Sequence, residues 1–304
     1  MSYNLKMSIN REASLAAKLT NTSSMDDTFS VERRVYEQRV RTTYGLKLRL
    51  KSDDIGDRFT IRGLFVPRDV EYSQDAAAEI LIAGFKVNSI PMRLIAALNN
   101  VNDVPNYMDF SFEKFFCDSI YLHLVERIST VELRFVNMPD EITDIEVLFD
   151  CCWLSNKELA RMKGSKFDHF YKQVMPQRLP GKLVPNNLSI QNVLVCDSKD
   201  NIKCVKYDCY STSDSSPVSV FEYDERLSAI YGVKVNDNIT AFSMNPGKPW
   251  DCHYPQGNLN INKFENERLI IERKKNNEDA LDVYFLATNQ LHYENGLAGP
   301  RFAW

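Results

Sequence analysis

Few residues in this sequence have the types and the spacing that chemistry at a protein site requires. Zinc is bound by cysteine thiolates and histidine imidazoles, and Cys204, Cys209, Cys252 and His253 offer both kinds of ligand. Their spacing is loose for a zinc site, because a Cys-x4-Cys pair would be combined with a distant Cys-His pair. Cysteines in strands are more often buried as small apolar residues, so we expect no metal site.

Catalytic motifs are missing from the sequence. It contains no Gly-x-Ser-x-Gly elbow, no Gly-x-x-x-x-Gly-Lys phosphate loop and no His-Glu-x-x-His motif. The four histidines stand far apart, at positions 123, 169, 253 and 292, so none pairs with another at short spacing. The carboxylates of Asp224 and Glu225 fall in a polar loop, where contact with solvent is the simplest outcome. We therefore predict that the chain is not an enzyme and carries no cofactor.

Composition indicates a globular chain with room for two domains. At 304 residues with 44% hydrophobic residues, it is long enough for one large domain or two ordinary ones. The net charge of -4 argues against direct nucleic-acid binding, which requires a basic surface. We expect no transmembrane segment, since no run approaches ~18 apolar residues, and no secretory signal in the polar N-terminal stretch. Seven cysteines without framework spacing indicate reduced thiols in a cytosolic compartment.

Most of the chain has the alternating pattern of half-buried β-strands. Leu46, Leu48 and Leu50 alternate with basic residues over 46–51, which is a period of two. Short apolar runs rich in Val, Ile, Tyr and Phe recur at intervals of roughly ten to fifteen residues, with Asn, Asp and Pro between them. This recurrence predicts an all-β fold of mainly antiparallel strands, arranged as a sandwich or a barrel.

One segment near the middle departs from the strand pattern. Ser155 can cap a helix, and Glu158 three residues later completes a capping box. Apolar residues then recur at roughly helical spacing, at Leu159, Met162, Phe167, Phe170, Tyr171 and Val174. The sequence predicts a helix over this segment that is ended by Pro176 and Pro180.

In the last fifty residues, turn residues lie between apolar strands. They form two groups, and both groups follow a strand that is predicted over 241–246. The residues of these two groups are Pro255, Gly257, Asn260, Asn289, Leu291, Gly296 and Gly299. In order and spacing, the segment resembles the end of the second barrel in double jelly-roll major capsid proteins of large eukaryotic DNA viruses. Gln256 and His292 stand where that family has serine and arginine.

The helical segment carries the same resemblance. The runs 153–158 and 168–171 are similar to the linker between the two barrels of the family, and they divide the chain into similar halves. The resemblance implies two tandem jelly-roll barrels joined by a short helical linker. The expected division is a flexible N-terminal arm over 1–40, a first jelly roll over 41–153, the linker over 154–180 and a second jelly roll over 181–304.

The resemblance further implies a viral structural protein. Subunits of this family form trimers, and each trimer is a pseudo-hexagonal block that tiles an icosahedral shell. We therefore expect self-association into a homotrimer and a shell lattice, contact with other capsid proteins, assembly in the host cytoplasm and a place in the virion. The motif residues would be structural, and glycine would matter at 257, 296 and 299 if the backbone there has a positive φ or a close neighbour.

Two terminal segments are candidates for subunit contacts. The N-terminal arm contains Arg33 and Arg34, which suit a neighbouring subunit or an acidic surface, although a flexible terminus with a short solvated helix is also compatible with this segment. Phe302 and Trp304 would be costly to leave in water. We expect Trp304 to be buried against its own barrel or a neighbouring subunit.

Several roles remain open from the sequence. Within the family, the chain is compatible with a major coat subunit, a minor or vertex coat protein, or an assembly scaffold. A jelly-roll module that binds carbohydrate is the alternative from another class of protein. That alternative predicts a monomer with an exposed aromatic platform in one barrel.

Overall fold

The computed structural model describes most of the chain between residues 30 and 301. Residues 1–29 and 302–304 lie outside the described part, together with 39–40, 43–44, 68–69, 100–106, 110–114, 116–118, 126–128, 163–165, 178–188, 199, 212–216, 225–231, 244–258, 261–263 and 275–280.

The described chain before residue 154 is built mainly of strands. They are β1 (Ser30–Gln38), β2 (Arg41–Thr42), β3 (Gly45–Leu50), β4 (Arg58–Phe65), β5 (Ala77–Ile82), β6 (Phe85–Pro91), β7 (Tyr107–Asp109), β8 (Ile120–Tyr121), β9 (Val131–Val136) and β10 (Ile145–Trp153). The short helices among them are α1 (Ser52–Ile55), α2 (Met92–Leu98) and α3 (Leu122–Val125).

The second half begins with helix α4 (Asn156–Met162) and continues in strands. They are β11 (Phe167–Gln177), β12 (Ser189–Val195), β13 (Ile202–Ser211), β14 (Pro217–Asp224), β15 (Gly232–Lys234), β16 (Thr240–Ser243), β17 (Leu259–Asn260), β18 (Phe264–Arg273), β19 (Val283–Glu294) and β20 (Leu297–Pro300). No helix in the described residues is long and apolar enough to cross a membrane.

The strands of the first half form two five-stranded sheets. Sheet A has the order β1-β10-β4-β7 with β8 beside β4, and sheet B has the order β2-β3-β9-β5-β6. The predicted alternation is confirmed in β3, where Leu46 and Leu50 are buried while Lys47 and Arg49 are exposed. Each sheet therefore presents an apolar face to the interior of this half.

The strands of the second half form a larger and a smaller sheet. Sheet C has seven strands in the order β11-β19-β12-β16-β15, with β17 beside β12 and β20 beside β19, and sheet D has the order β14-β13-β18. All the ladders between the described strands are antiparallel and stay within one half. The all-β, mainly antiparallel fold class predicted from the sequence is confirmed.

The central part of sheet C, in β12 and the first half of β19, is buried on both of its faces. Val193 and Phe285 belong to a hydrophobic cluster shared with sheet D. Leu194 and Leu286, their neighbours in sequence, belong to a larger cluster that fills the first half. Successive residues of a strand point to opposite faces, so β12 and β19 supply both cores. This explains why Val283 to Ala287 is a continuous buried run without polar alternation.

Residues 30–38 of the N-terminal arm predicted over 1–40 form a strand instead, while residues 1–29 lie outside the described part. Strand β1 pairs antiparallel with β10 over its whole length, from Ser30 opposite Trp153 to Gln38 opposite Ile145. The segment looked like an arm because it has few apolar anchors. An edge strand can nevertheless be held by backbone hydrogen bonds to its neighbour, and these leave no mark in side-chain composition.

The helix predicted between 154 and 178 is also shorter. Its start is confirmed, because Ser155 Oγ accepts a hydrogen bond from the Glu158 amide at 3.2 Å. The helix ends at Met162, and 167–177 form strand β11 along β19. The helical spacing was misleading here because pairing with β19 decides the conformation. Pro176 is accommodated because β11 is an edge strand.

Candidate functional site

The two halves meet where two sheet edges come together. Strand β6 is the last strand of sheet B, and β11 is the first strand of sheet C. The two edges pack against each other without forming a ladder. We call this contact, with the groups that flank it, the seam. An unpaired edge is a liability for a β-protein, so the groups that satisfy these two edges help the shared hydrophobic core to join the halves.

Asn88 on β6 joins the two edges by its side chain. Its Nδ2 donates to the Lys172 carbonyl at 3.0 Å, and its Oδ1 accepts from the Val174 amide at 3.1 Å. The side chain thus offers β11 the donor and acceptor of a peptide group, and Asn88 is fully buried. Nearby, the Tyr171 hydroxyl donates to the Val87 carbonyl at 3.1 Å, and burial raises the pKa of Tyr171. Sequence analysis missed Asn88, although asparagine is unusual inside a strand.

An aromatic cluster lies at a second point of the seam. The ring of Tyr121, from the first half, packs on His169 and Tyr293 of the second half, with centroids 5.1 and 5.9 Å away. The Tyr293 hydroxyl accepts a hydrogen bond from the Tyr121 amide at 3.4 Å. The Arg58 guanidinium lies 4.8 Å from the centroid of the Tyr121 ring. Such contacts stabilise the seam beyond the effect of the apolar area that they bury, because ring edges and cations are attracted to aromatic faces.

An ion pair forms the third point of the seam. Arg93 on α2 contacts Asp282 by two nitrogens, at 2.9 and 3.3 Å. Asn236 Nδ2 donates to the Ala97 carbonyl at 2.7 Å and so ties the C-terminal end of the same helix to the second half. Burial, followed by the charge of Asp282, raises the pKa of the Cys196 thiol to about 12. This thiol is therefore protonated at neutral pH and is a poor nucleophile.

Three residues of the C-terminal motifs have clear structural roles. Asn289 is fully buried, and its Nδ2 donates to Gln173 Oε1 at 2.8 Å, which holds β19 to β11. Leu291 is buried in the larger cluster, on the side facing the first half. Gly296 has a φ of +83° and follows Asn295 at +51°. Positive φ at both positions is typical of the tight turn of a two-residue hairpin, here between β19 and β20.

Gly299 meets neither of the two conditions under which glycine was expected to matter there. Its φ is not positive, and a Cβ built at this position would meet no atom within 4 Å. Glycine is therefore not required there by the backbone of the subunit. Asn260 lies in β17 opposite Ser189. Pro255 and Gly257 lie outside the described residues, so the expected requirement for glycine at 257 stays a prediction.

The four predicted subunit-contact residues are only partly described. Arg33 lies in β1 opposite Asp150. Arg34 makes contacts within its own half, because its Nη1 donates to the Asp54 carbonyl at 2.8 Å and its guanidinium lies 4.7 Å from the Trp153 ring centroid. Phe302 and Trp304 lie outside the described residues.

The possible zinc ligands are also only partly described. Cys204 is half-buried on β13, while Cys252 and His253 fall in the gap over 244–258. Within the described ranges, no group of three or more His, Cys, Asp and Glu side chains could hold a metal ion. The absence of a metal site stays a prediction for the chain as a whole.

Comparison with known proteins rests on structures, because no protein-family model and no curated protein matches the sequence. VP54 of PBCV-1, as fitted into a cryo-EM reconstruction of the virophage Sputnik, matches with a TM-score of 0.64 and 12% identity, over 93% of this chain and 98% of that chain. A chain of the quasi-atomic model of the PBCV-1 virus capsid matches with a TM-score of 0.55 and 13% identity, over the same shares.

These matches span both halves of the chain, and VP54 is a capsid protein of the double jelly-roll type. The chain has a double jelly-roll fold. At this sequence identity the likeness concerns the fold, and it agrees with the resemblance carried by the C-terminal motifs. In the double jelly roll, the seam described above is the junction between the two barrels.

A charged cluster lies on the outer surface of the second barrel. His292 contacts Asp168 Oδ1 through Nδ1 at 2.6 Å and Glu294 Oε2 through Nε2 at 3.1 Å. The hydrogen bonds to Asp168 and then to Glu294 raise the pKa of His292. Lys166 pairs with Glu294, and Arg301 Nη1 donates to Asp168 Oδ2 at 2.9 Å. These acidic and basic groups therefore neutralise one another in a connected network of ion pairs and hydrogen bonds.

Proposed function

We propose that this chain is a viral capsid subunit that self-assembles through its double jelly roll. The observation that carries the proposal is the match to VP54, which covers almost the whole of both chains. A match of this extent includes both barrels and their junction rather than one jelly roll, which is a fold shared by proteins of many functions. The role is structural, and it involves no catalysis and no cofactor.

The seam supports this function by making one rigid block of two barrels. A shell tile has to keep a fixed angle between its barrels, since its edges must meet those of its neighbours. Asn88, Tyr121 and Arg93 join the barrels at three places, by a buried amide, by aromatic packing and by an ion pair. Large hydrophobic interfaces suppress relative domain motion, and sheet C shares its core with the first barrel.

The proposed assembly is the one that the family resemblance implies. Three copies form a homotrimer with a pseudo-hexagonal outline, and the trimers form a shell lattice together with other capsid proteins. The protein is assembled in the host cytoplasm and resides in the virion. The chain divides into a first jelly roll, a short helical linker that contains α4 and a second jelly roll, and the segment before β1 serves as an arm that contacts a neighbouring subunit.

Electron microscopy of the purified full-length chain tests this function. We expect hexagonal blocks at low concentration and sheets or shells at higher concentration. Particles with no regular outline at any concentration would contradict a capsid role. A glycan-binding screen on the same preparation would then test the carbohydrate-binding module. Copy number per particle, from quantitative mass spectrometry of virions, separates a major coat subunit from a minor coat protein or a scaffold.

A further inference from the structure

Both ring nitrogens of His292 lie against carboxylates. Nδ1 is 2.6 Å from Asp168 Oδ1, and Nε2 is 3.1 Å from Glu294 Oε2. An ionised carboxylate can only accept hydrogen bonds, and a neutral imidazole has a single N–H to donate. The imidazolium form, which has two N–H groups, is therefore the form that makes both hydrogen bonds at once. The second carboxylate makes this arrangement depend on one proton.

The same two carboxylates also contact cations through their other oxygens. Arg301 Nη1 donates to Asp168 Oδ2 at 2.9 Å, and Lys166 Nζ pairs with Glu294 Oε1. The ring and the two cations thus contact different oxygens, so the hydrogen bonds to the ring do not exclude the other ion pairs. The charged groups that contact the ring itself are both negative, and this favours the imidazolium.

The titratable groups that neighbouring elements bring to this hairpin are engaged elsewhere. Strand β6 and helix α3 pack against β20. In the described part of these two elements, Lys86 pairs with Glu79 at 3.2 Å, and the His123 ring contacts the Asp57 carbonyl at 3.0 Å. On β11, His169 packs in the aromatic cluster of the seam. The charge state of His292 therefore depends mainly on the charged cluster described above.

The charged cluster bridges three strands. Asp168 on β11 lies directly opposite His292 on β19, and β20 pairs with the other side of β19. Arg301 follows β20, and its side chain reaches Gln290 on β19 and Asp168 on β11. We infer that His292 is a proton-dependent clasp, which as an imidazolium ties β11 to the β19–β20 hairpin and releases one carboxylate when it loses its proton. This device goes beyond the proposed function and does not rest on it.

The direction of the pH effect follows from the contacts. The hydrogen bonds to Asp168 and then to Glu294 raise the pKa of His292 above its ordinary value of about 6.5. A group whose pKa is raised by folding stabilises the folded state when it is protonated. The contribution of the clasp is therefore fully present below the ordinary value, and it is lost as the pH rises through the raised pKa. Lys166 and then His292 lower the pKa of Glu294, so this carboxylate is ionised while the ring is protonated.

NMR titration of the histidine ring signals in the full chain tests the contacts of the ring. The His292 signal is assigned as the one that His292→Arg lacks. We expect Asp168→Asn and Glu294→Gln each to lower the titration midpoint of His292 by roughly half a pH unit or more, with the larger shift for Asp168→Asn because its contact is shorter. Glu272→Gln is the matched control and should leave the midpoint unchanged, since this exposed carboxylate pairs with Lys203 on sheet D.

Hydrogen exchange of the β20 amides across the same pH range tests the clasp. Division of each rate by the rate of an unstructured peptide at that pH gives a protection factor. Protection should fall several-fold as the pH rises through the His292 midpoint in the unmodified chain. It should stay high in His292→Arg, which keeps a cation at every pH, and low throughout in His292→Gln, which has none. Because the cluster is exposed, the effect should be local, and β12 serves as the internal control.

Two results would overturn the clasp. One is a His292 midpoint that neither Asp168→Asn nor Glu294→Gln lowers. The other is β20 protection that falls with pH in His292→Arg as it does in the unmodified chain. Thermal unfolding of each variant verifies that the fold is kept. Both measurements follow the subunit itself, so either result leaves the capsid role standing.

Discussion

The two barrels differ in how they bury their sheets. The first barrel has two sheets of five strands, which enclose most of the larger core between them. In the second barrel, the three-stranded sheet D covers one face of the seven-stranded sheet C, and the other face packs on the first barrel. The second barrel is therefore completed by the first. Two jelly rolls in one chain can form a single folding unit when one of them leaves a sheet face open.

Truncation of a side chain on the shared face of sheet C gives the largest expected effect. Leu286 is fully buried in the core that both barrels share. Leu286→Ala should lower the free energy of unfolding by about 2–5 kcal/mol, from lost burial and an added cavity. Because that core is shared, hydrogen exchange should accelerate in strands of both barrels.

Phe285→Ala is the matched control, since its side chain enters the core between sheets C and D. It should accelerate exchange mainly in the second barrel. If Leu286→Ala leaves β4 and β9 of the first barrel as protected as before, the two barrels do not share a core energetically.

Loss of the Asn88 amide should have the next largest effect. Asn88→Ala leaves the Lys172 carbonyl and the Val174 amide without this partner in a buried seam. A buried polar group left unsatisfied costs about 1–3 kcal/mol, so the free energy of unfolding should fall by at least that amount in chemical denaturation.

Asn99→Ala provides the comparison within one barrel. Asn99 is also buried, and its Nδ2 donates at 2.7 Å to the Ile95 carbonyl of its own helix. Its removal should cost less and should leave exchange in β11 unchanged. If both substitutions lowered the free energy of unfolding by the same amount, the Asn88 hydrogen bonds across the seam would stabilise the fold no more than the Asn99 hydrogen bond at the end of a helix.

The two glycines of the closing hairpin should respond differently to alanine. Gly296→Ala places a side chain at a φ of +83°, which costs roughly 1–2 kcal/mol for an L-residue. Gly299→Ala meets no neighbour, so the unfolding free energy should change by less than about 0.5 kcal/mol. Thermal unfolding of the two variants measures the difference. A larger loss at 299 in the isolated subunit would contradict the geometry described for this hairpin.

The ion pair at the seam should contribute least. Arg93 and Asp282 are 37% and 21% exposed, so solvent screens their attraction. A double-mutant cycle of Arg93→Ala and Asp282→Ala should give a coupling energy of about 0.2–1 kcal/mol that decreases with added salt. Lys203 and Glu272, a more exposed pair within the second barrel, serve as the control and should couple more weakly. A larger coupling energy for Lys203 and Glu272 would show that the two contacts between Arg93 and Asp282 do not strengthen the seam pair.

Local patterns in the sequence predicted the strands and helices better than they predicted which strands pair with each other. The alternation over 46–50 predicted β3, and Ser155 with Glu158 predicted the start of α4, because both signals depend on residues close in sequence. The continuation of that helix was wrong, since pairing with β19 more than a hundred residues later determines the conformation of β11.

The candidate site shows the same limit. Asn289, Leu291 and Gly296 were singled out from motif order, and the structure describes a side-chain hydrogen bond, a buried side chain and a positive φ at these positions. Their part in a family motif stays a prediction. Asn88 could not be predicted, because its partners lie 84 and 86 residues away and nothing near it in sequence marks a seam.

The most direct test of the account is the mass of the full-length chain in solution, measured by light scattering on a sizing column. One chain has a mass of 35.1 kDa. A capsid subunit of this fold should elute as a stable species of three times that mass, with larger assemblies appearing as the concentration rises. A monomer at every concentration would contradict the capsid assignment.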